Sequence, residues 1–174
     1  MILTGNAIRE EYMKGKITLN PFLEGNINPN SYNFRLDRVL KTYSNSILDP
    51  KLPQKMDTII LGDDGYVLEP YKLYLANTIE EIGSDYYAPT YNARSSVARL
   101  GIFINLSATL LDIGFKGQIT MQLYSANHVK IYYGMDIGQV MFWKPKGKIS
   151  LYSGKYQNSK GPQVTQIYKD FKFM

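Results

Sequence analysis

The chain has 174 residues, no cysteine, one histidine and a formal net charge of +5, from 20 basic and 15 acidic side chains. That length suits one domain with its own core; without cysteine, disulfides and thiolate chemistry are excluded, and a lone His128 cannot assemble the His and Cys clusters of a zinc site. No run approaches the roughly 18 apolar residues of a membrane span, and no basic stretch followed by an apolar core opens the chain, so the expectation is a soluble, cytoplasmic protein.

Helical signals sit at the start, where Thr4 can cap a segment carrying Ile8 and Tyr12 at i and i+4 that ends at Gly15. Period two follows. Tyr32, Phe34 and Leu36 alternate with polar residues, and Tyr71, Leu73 and Leu75 alternate with Lys72, Tyr74 and Ala76. Turns are expected at Asp49-Pro50, at a hairpin over Gly62 to Gly65, at Ala88-Pro89, at Gly114 and at Lys146-Gly147. Ile119 to Tyr124 and Ile137 to Trp143 read as the best buried strands, so the pattern predicts a mainly β sandwich or barrel with one short N-terminal helix. Glu80 and Glu81 read as exposed strand-end charge, His128 as a turn residue, and Trp143 as core or subunit contact. Lys144, Lys146 and Lys148 around Pro145 read as a solvated hairpin; with basic residues otherwise dispersed, nucleic acid is not indicated. From Ser153 to Gln163 the chain is rich in turn residues and poor in apolar ones, the composition of a mobile tail or lid.

Two constellations carry chemistry. In a short helical turn Ser95 and Arg99 lie at i and i+4, with Arg94 and Ser96 beside them, which outlines an anion site of guanidinium, hydroxyl and backbone donors. The same spacing also describes a capped surface helix with two solvated arginines. Asp112 stands in the apolar run Leu110-Leu111-Asp112-Ile113 before Gly114, where a carboxylate must be paired, cap the turn, or be kept for chemistry such as orienting a water or holding Mg²⁺ through water.

These residues, with MILTGNAI, INPNSYNFRLD, ARSSVARLG, LLDIGFKGQIT and the tail pattern YSGKY…KG…QIYKD, resemble the dCTP deaminase and dUTPase superfamily nearly end to end. The resemblance is closest to the branch of dCTP deaminases and of bifunctional enzymes that turn dCTP into dUMP. It implies a distorted jelly-roll β-barrel over residues 1–152, a tail over 153–174 that closes on nucleotide, and a homotrimer with active sites shared between subunits. Arg94, Ser95, Ser96 and Arg99 match triphosphate-binding positions, with Ser95 and Arg99 assisting at the pyrimidine. Asn105 to Asp112, including Ala108 and Thr109, matches the strand lining the sugar and base pocket, and Tyr152, Lys155 and Ser159 match tail positions that meet the nucleotide. Asp112 matches the carboxylate beside the sugar and the attacking water, and Mg²⁺ is implied as cofactor, bridging phosphate oxygens without direct protein ligands.

Three residues depart from the family pattern. Gln122 stands where deaminases carry the Glu that activates water and shuttles protons; an amide takes no proton, and that chemistry is worth about 10² to 10⁴ in rate. Ser159 replaces a usual Gln, which is expected to loosen the tail's hold on nucleotide, and Asn33 replaces a common Asp. The expectations therefore rank as dUTP hydrolysis to dUMP and pyrophosphate first, dCTP deamination second, and a catalytically reduced nucleotide-binding regulator third.

Overall fold

In a computed structural model, which describes residues 1–171, Thr4 caps a helix α1 over Gly5–Met13, its hydroxyl accepting from Ala7 N, and Ile8 points into the core. Strands follow: β1 (Thr18–Asn20), β2 (Ile27–Asn28), β3 (Ser31–Tyr43), β4 (Met56–Ile60), β5 (Tyr66–Leu68), β6 (Leu73–Gly83) and β7 (Ala88–Ala93). A one-turn helix α2 (Ser95–Ala98) precedes β8 (Ile102–Phe103), β9 (Lys116–Ser125), β10 (Val129–Ile131) and β11 (Asp136–Trp143), and a 3₁₀ turn spans Ile167–Phe171. No helix among the described residues is long and apolar enough to cross a membrane.

One sheet carries the order β7-β11-β3-β6-β9-β8, with β1 on β6 and with β2 and β4 on β3; β5 and β10 form a separate pair. The long β3 joins its two halves: residues 32–35 pair with β11, and residues from Leu36 onward pair with β4 and β6. Register shifts between Leu36 and Leu40 and between Asn77 and Glu81 bend the sheet there, so it wraps into a nearly closed barrel instead of lying open. Tyr32, Phe34, Leu40, Tyr74, Ala76, Met121, Leu123, Val140 and Phe142 are fully buried inside it. Each large apolar side chain so placed contributes about 1.5–3 kcal/mol.

The bends leave backbone donors without ladder partners, and buried polar side chains take them. Glu80 accepts from Arg35 N at 2.9 Å and from Arg35 Nε at 2.7 Å, and Thr78 Oγ1 accepts from Ile119 N at 2.9 Å. Glu80 is therefore fully buried, not the exposed charge its sequence position implied, because β6 bulges inward where it stands.

Other local readings also change. Ala88-Pro89 is no turn: both residues lie in β7, whose outer side carries only an isolated bridge from Thr90 to Leu110, and an edge strand tolerates a proline that donates nothing to the ladder. Gly62 to Gly65 does turn, Gly65 N donating to Gly62 O, but it links strands of different sheets and closes no hairpin. Tyr71 sits at φ 61° as a turn residue, and β6 begins at Leu73 with Tyr74 and Ala76 facing the core. After Trp143 the chain leaves β11 without a returning strand, so Lys144 to Lys148 form no hairpin.

Candidate active site

Alternation along β9 builds the floor of an apolar cavity. Ile119, Met121 and Leu123 face the core, so Gln118, Thr120 and Gln122 face the other way, into a space of about 360 Å³. Tyr43, Leu73 and Leu75 wall it on one side, Tyr91, Ala108, Leu110, Leu111 and Phe115 on another, and the tail residues Tyr156, Ser159, Gln163 and Thr165 roof it. That volume falls in the range of small-molecule sites. Among the described residues no Asp, Glu, Lys, Arg or His lines it.

Gln122 stands on this floor. Its amide nitrogen donates to Thr120 O at 3.4 Å, and its side chain lies beside the Tyr91 hydroxyl. Burial pushes the Tyr91 phenol up to about 12, against a smaller lowering by Gln122, so Tyr91 remains a neutral hydroxyl in any ordinary buffer. Asn105 and Thr109 brace Tyr91 from behind: Asn105 Nδ2 donates to Tyr91 O at 2.9 Å, and Thr109 O accepts from Tyr91 N at 3.1 Å. Of the residues expected along that strand, Ala108 lines the cavity, while Asn105 and Thr109 do not.

Asp112 opens onto a smaller recess of about 160 Å³, shared with Tyr152, that has Leu110, Leu111, Phe115 and Tyr156 in common with the main cavity. Its surroundings are less apolar than the sequence implied. Leu110 is 63% exposed and Asp112 is exposed, and among the described residues its carboxylate has no hydrogen-bond or ion-pair partner. The turn instead closes through the backbone, Phe115 N donating to Asp112 O, with Gly114 at φ 96°.

Arg94, Ser95, Ser96 and Arg99 gather around α2 at the end of β7, apart from both cavities. Val97 anchors this turn in the core, and the side chains of Ser95, Ser96 and Arg99 are exposed and, among the described residues, free of hydrogen bonds. Arg94 pairs with Asp136 at 3.2 Å, and Asn33 Nδ2 donates to the same carboxylate oxygen at 3.4 Å. This gives the Asn33 departure a physical reason: an Asp at 33 would set two carboxylates against each other there.

In the tail, Ser159 lines the cavity but its Oγ donates to Gln118 O at 2.7 Å, so its bond goes to the barrel. Lys155 lies outside both cavities, its Nζ held by Asp170 at 2.8 and 2.7 Å, a contact that raises its pKa. His128 is exposed in the turn after β9, and Trp143 is 40% exposed, its indole donating to Thr90. Sequence reasoning missed Tyr91, Gln118 and Thr120. Period two along β9 would have put Gln118 and Thr120 beside Gln122; nothing local marks Tyr91.

Comparison with known proteins agrees with this architecture. A dCTP deaminase-like family model matches residues 2–145. A "dCTP deaminase, dUMP-forming" of Clostridium acetobutylicum is 44% identical over 172 residues, covering 98% of this chain and 99% of the relative. Proteins of the same name from Clostridium beijerinckii and Cytophaga hutchinsonii are 43% and 39% identical, each over 99% of both chains. A crystal structure of 2'-deoxycytidine 5'-triphosphate deaminase from Agrobacterium tumefaciens superposes with a TM-score of 0.64 at 21% identity, over 81% of this chain and 47% of that one, so the chain spans about half of its length and shares its fold. With the family model covering most of its length and relatives above 40% identity end to end, the chain belongs to the dCTP deaminase-like family.

Proposed function

We propose that the chain hydrolyses dUTP to dUMP and pyrophosphate. The observation that carries this reading is the uncharged cavity: it offers amides, hydroxyls and apolar walls to a neutral pyrimidine nucleoside, and among the described residues no carboxylate or imidazole to activate water for a deamination. Asp112, exposed at the adjoining recess and unpartnered among the described residues, is placed to orient the water whose oxygen bonds to the α-phosphorus while the bond to the bridging oxygen breaks and pyrophosphate leaves. Among the described residues no cluster of three or more His, Cys, Asp or Glu could hold a metal. A single carboxylate beside the recess fits Mg²⁺ carried in on the phosphates, where the ion would neutralise charge on the leaving pyrophosphate.

The α2 arginines supply the phosphate contacts in this reading. Because they stand apart from the cavity within one chain, the proposed site takes them from a neighbouring copy in a homotrimer. Sedimentation should then give three times the 19.9 kDa chain mass, and a monomer of full activity would refute the shared site.

The relatives' name favours a second reading, dCTP deamination followed by hydrolysis to dUMP. Incubating the protein with dUTP and with dCTP, each with Mg²⁺, while following pyrophosphate and uracil nucleotides, separates the two. Pyrophosphate from dUTP alone is expected. Uracil nucleotide formed from dCTP would replace the first reading by the second, and binding without turnover of either would leave a regulator.

A further inference from the structure

Arg94 is the one member of the α2 cluster whose side chain the barrel holds. Ser95, Ser96 and Arg99 are exposed and make no side-chain hydrogen bond among the described residues, whereas Arg94 Nη1 donates to Asp136 Oδ2 at 3.2 Å. Among the described residues its Nε and Nη2 make no bond, so they stay open to an anion.

A bulge in β11 brings this pair together. β11 runs between β7 and β3, and its register against β3 shifts between Asp136 and Gly138. Within the bulge, Ile137 O accepts from Arg94 N at 3.3 Å, which ties the residue that opens α2 to the backbone next to Asp136. From the other side β3 supplies Asn33, only 5% exposed, whose Nδ2 donates to the same Asp136 Oδ2 at 3.4 Å. Asn28 Nδ2 donates to Asn33 Oδ1 at 2.8 Å, which fixes that amide with its donor side toward Asp136. Arg35, across the ladder from Asp136, is taken by Glu80 at 2.7 Å and does not compete.

We infer that Asp136 is a positioning residue: held from β3 by Asn33, it aims the Arg94 guanidinium at the anion that α2 receives, and the carboxylate can serve from position 136 or from position 33 but not from both. This deepens the proposed phosphate role of α2 and rests on it. A carboxylate beside a phosphate site acts in two opposite ways. Its charge repels the incoming anion, and its hold on Arg94 removes rotamer freedom that binding would otherwise have to freeze. The Arg94 and Asp136 side chains are 38% and 32% exposed, so water screens the charge and the ordering effect prevails. A partly exposed pair also adds little to stability, so its loss should show in binding first.

Donor and acceptor directions fix what an exchange of the two residues would do. Asn33→Asp alone sets two carboxylates face to face with no proton between them. In Asn33→Asp/Asp136→Asn the amide at 136 accepts from Arg94 and donates to the carboxylate at 33, which still accepts from Asn28, so every bond of the chain survives.

Calorimetric titration of the full chain with inorganic tripolyphosphate tests this without a nucleoside and without turnover. Asp136→Ala removes a negative charge yet should weaken binding about three- to tenfold, with the unfolding midpoint unchanged. Asn33→Asp should weaken it at least as much, and Asn33→Asp/Asp136→Asn should return to within about twofold of the unsubstituted chain. With dUTP, Asp136→Ala should raise KM more than it lowers kcat. The same order of affinities in a chain that turns over dCTP instead of dUTP would support the positioning role and remove only the hydrolysis reading. Equal or tighter tripolyphosphate binding by Asp136→Ala would overturn the proposal, as would an exchanged pair no better than Asp136→Ala, or an unsubstituted chain that does not bind tripolyphosphate.

Discussion

Asp112→Asn is expected to cut pyrophosphate release from dUTP by about 10² to 10⁴-fold, the usual value of one general acid–base group. The substitution is close to isosteric and falls on an exposed side chain with no hydrogen-bond or ion-pair partner among the described residues, so stability should change by no more than about 0.5 kcal/mol. Nucleotide binding should persist, because the cavity that would receive the nucleoside does not include Asp112. Steady-state assay together with calorimetry separates the effects: a loss in kcat with retained affinity assigns Asp112 to the chemical step, whereas full activity in the variant would remove it from the mechanism.

Gln122→Glu is expected to create or raise dCTP deamination, by a factor of similar size, about 10² to 10⁴ over the unsubstituted chain. The new carboxylate would stand in an otherwise uncharged cavity, beside the Tyr91 hydroxyl. Desolvation there raises the pKa of a carboxyl group, which brings it toward the range where it can both take and return a proton near neutral pH. A carboxylate in place of an amide also sets negative charge beside any carbonyl of a bound uracil, so dUTP hydrolysis should weaken in the same variant. Uracil nucleotide formed from dCTP is the readout, and no gain would mean that the cavity lacks more for deamination than one carboxylate.

These two residues were legible in different degrees. Gln122 was found from the motif, and period two along β9 set it on the face opposite Ile119, Met121 and Leu123. Asp112 was found from the same motif, but the inference from its apolar neighbours failed, because Leu110 and Asp112 lie on an exposed connection between β8 and β9 and not in a strand. Glu80 shows the opposite error. Burial of a carboxylate depends on a partner distant in sequence, here Arg35, and on bulges in two strands that no local pattern encodes. Tyr91 carries no local signal; it lines the cavity because β7 pairs with β11 while Asn105 and Thr109 hold it from the following segment.

By itself the sequence determined what depends on neighbours in the chain: the capped first helix, the alternation at the start of β3, the strands over Ile119 to Tyr124 and Ile137 to Trp143, and the turn at Gly114. The tertiary structure alone decided what depends on distant segments meeting. It closed the sheet at two bulges, set the α2 arginines apart from the cavity, and laid residues 157–163 along the free edge of β9, more than thirty positions earlier in the chain. Side-chain period is a local property of the backbone, whereas pairing of edges and enclosure of a cavity are satisfied by whichever distant donors and acceptors the fold brings within reach.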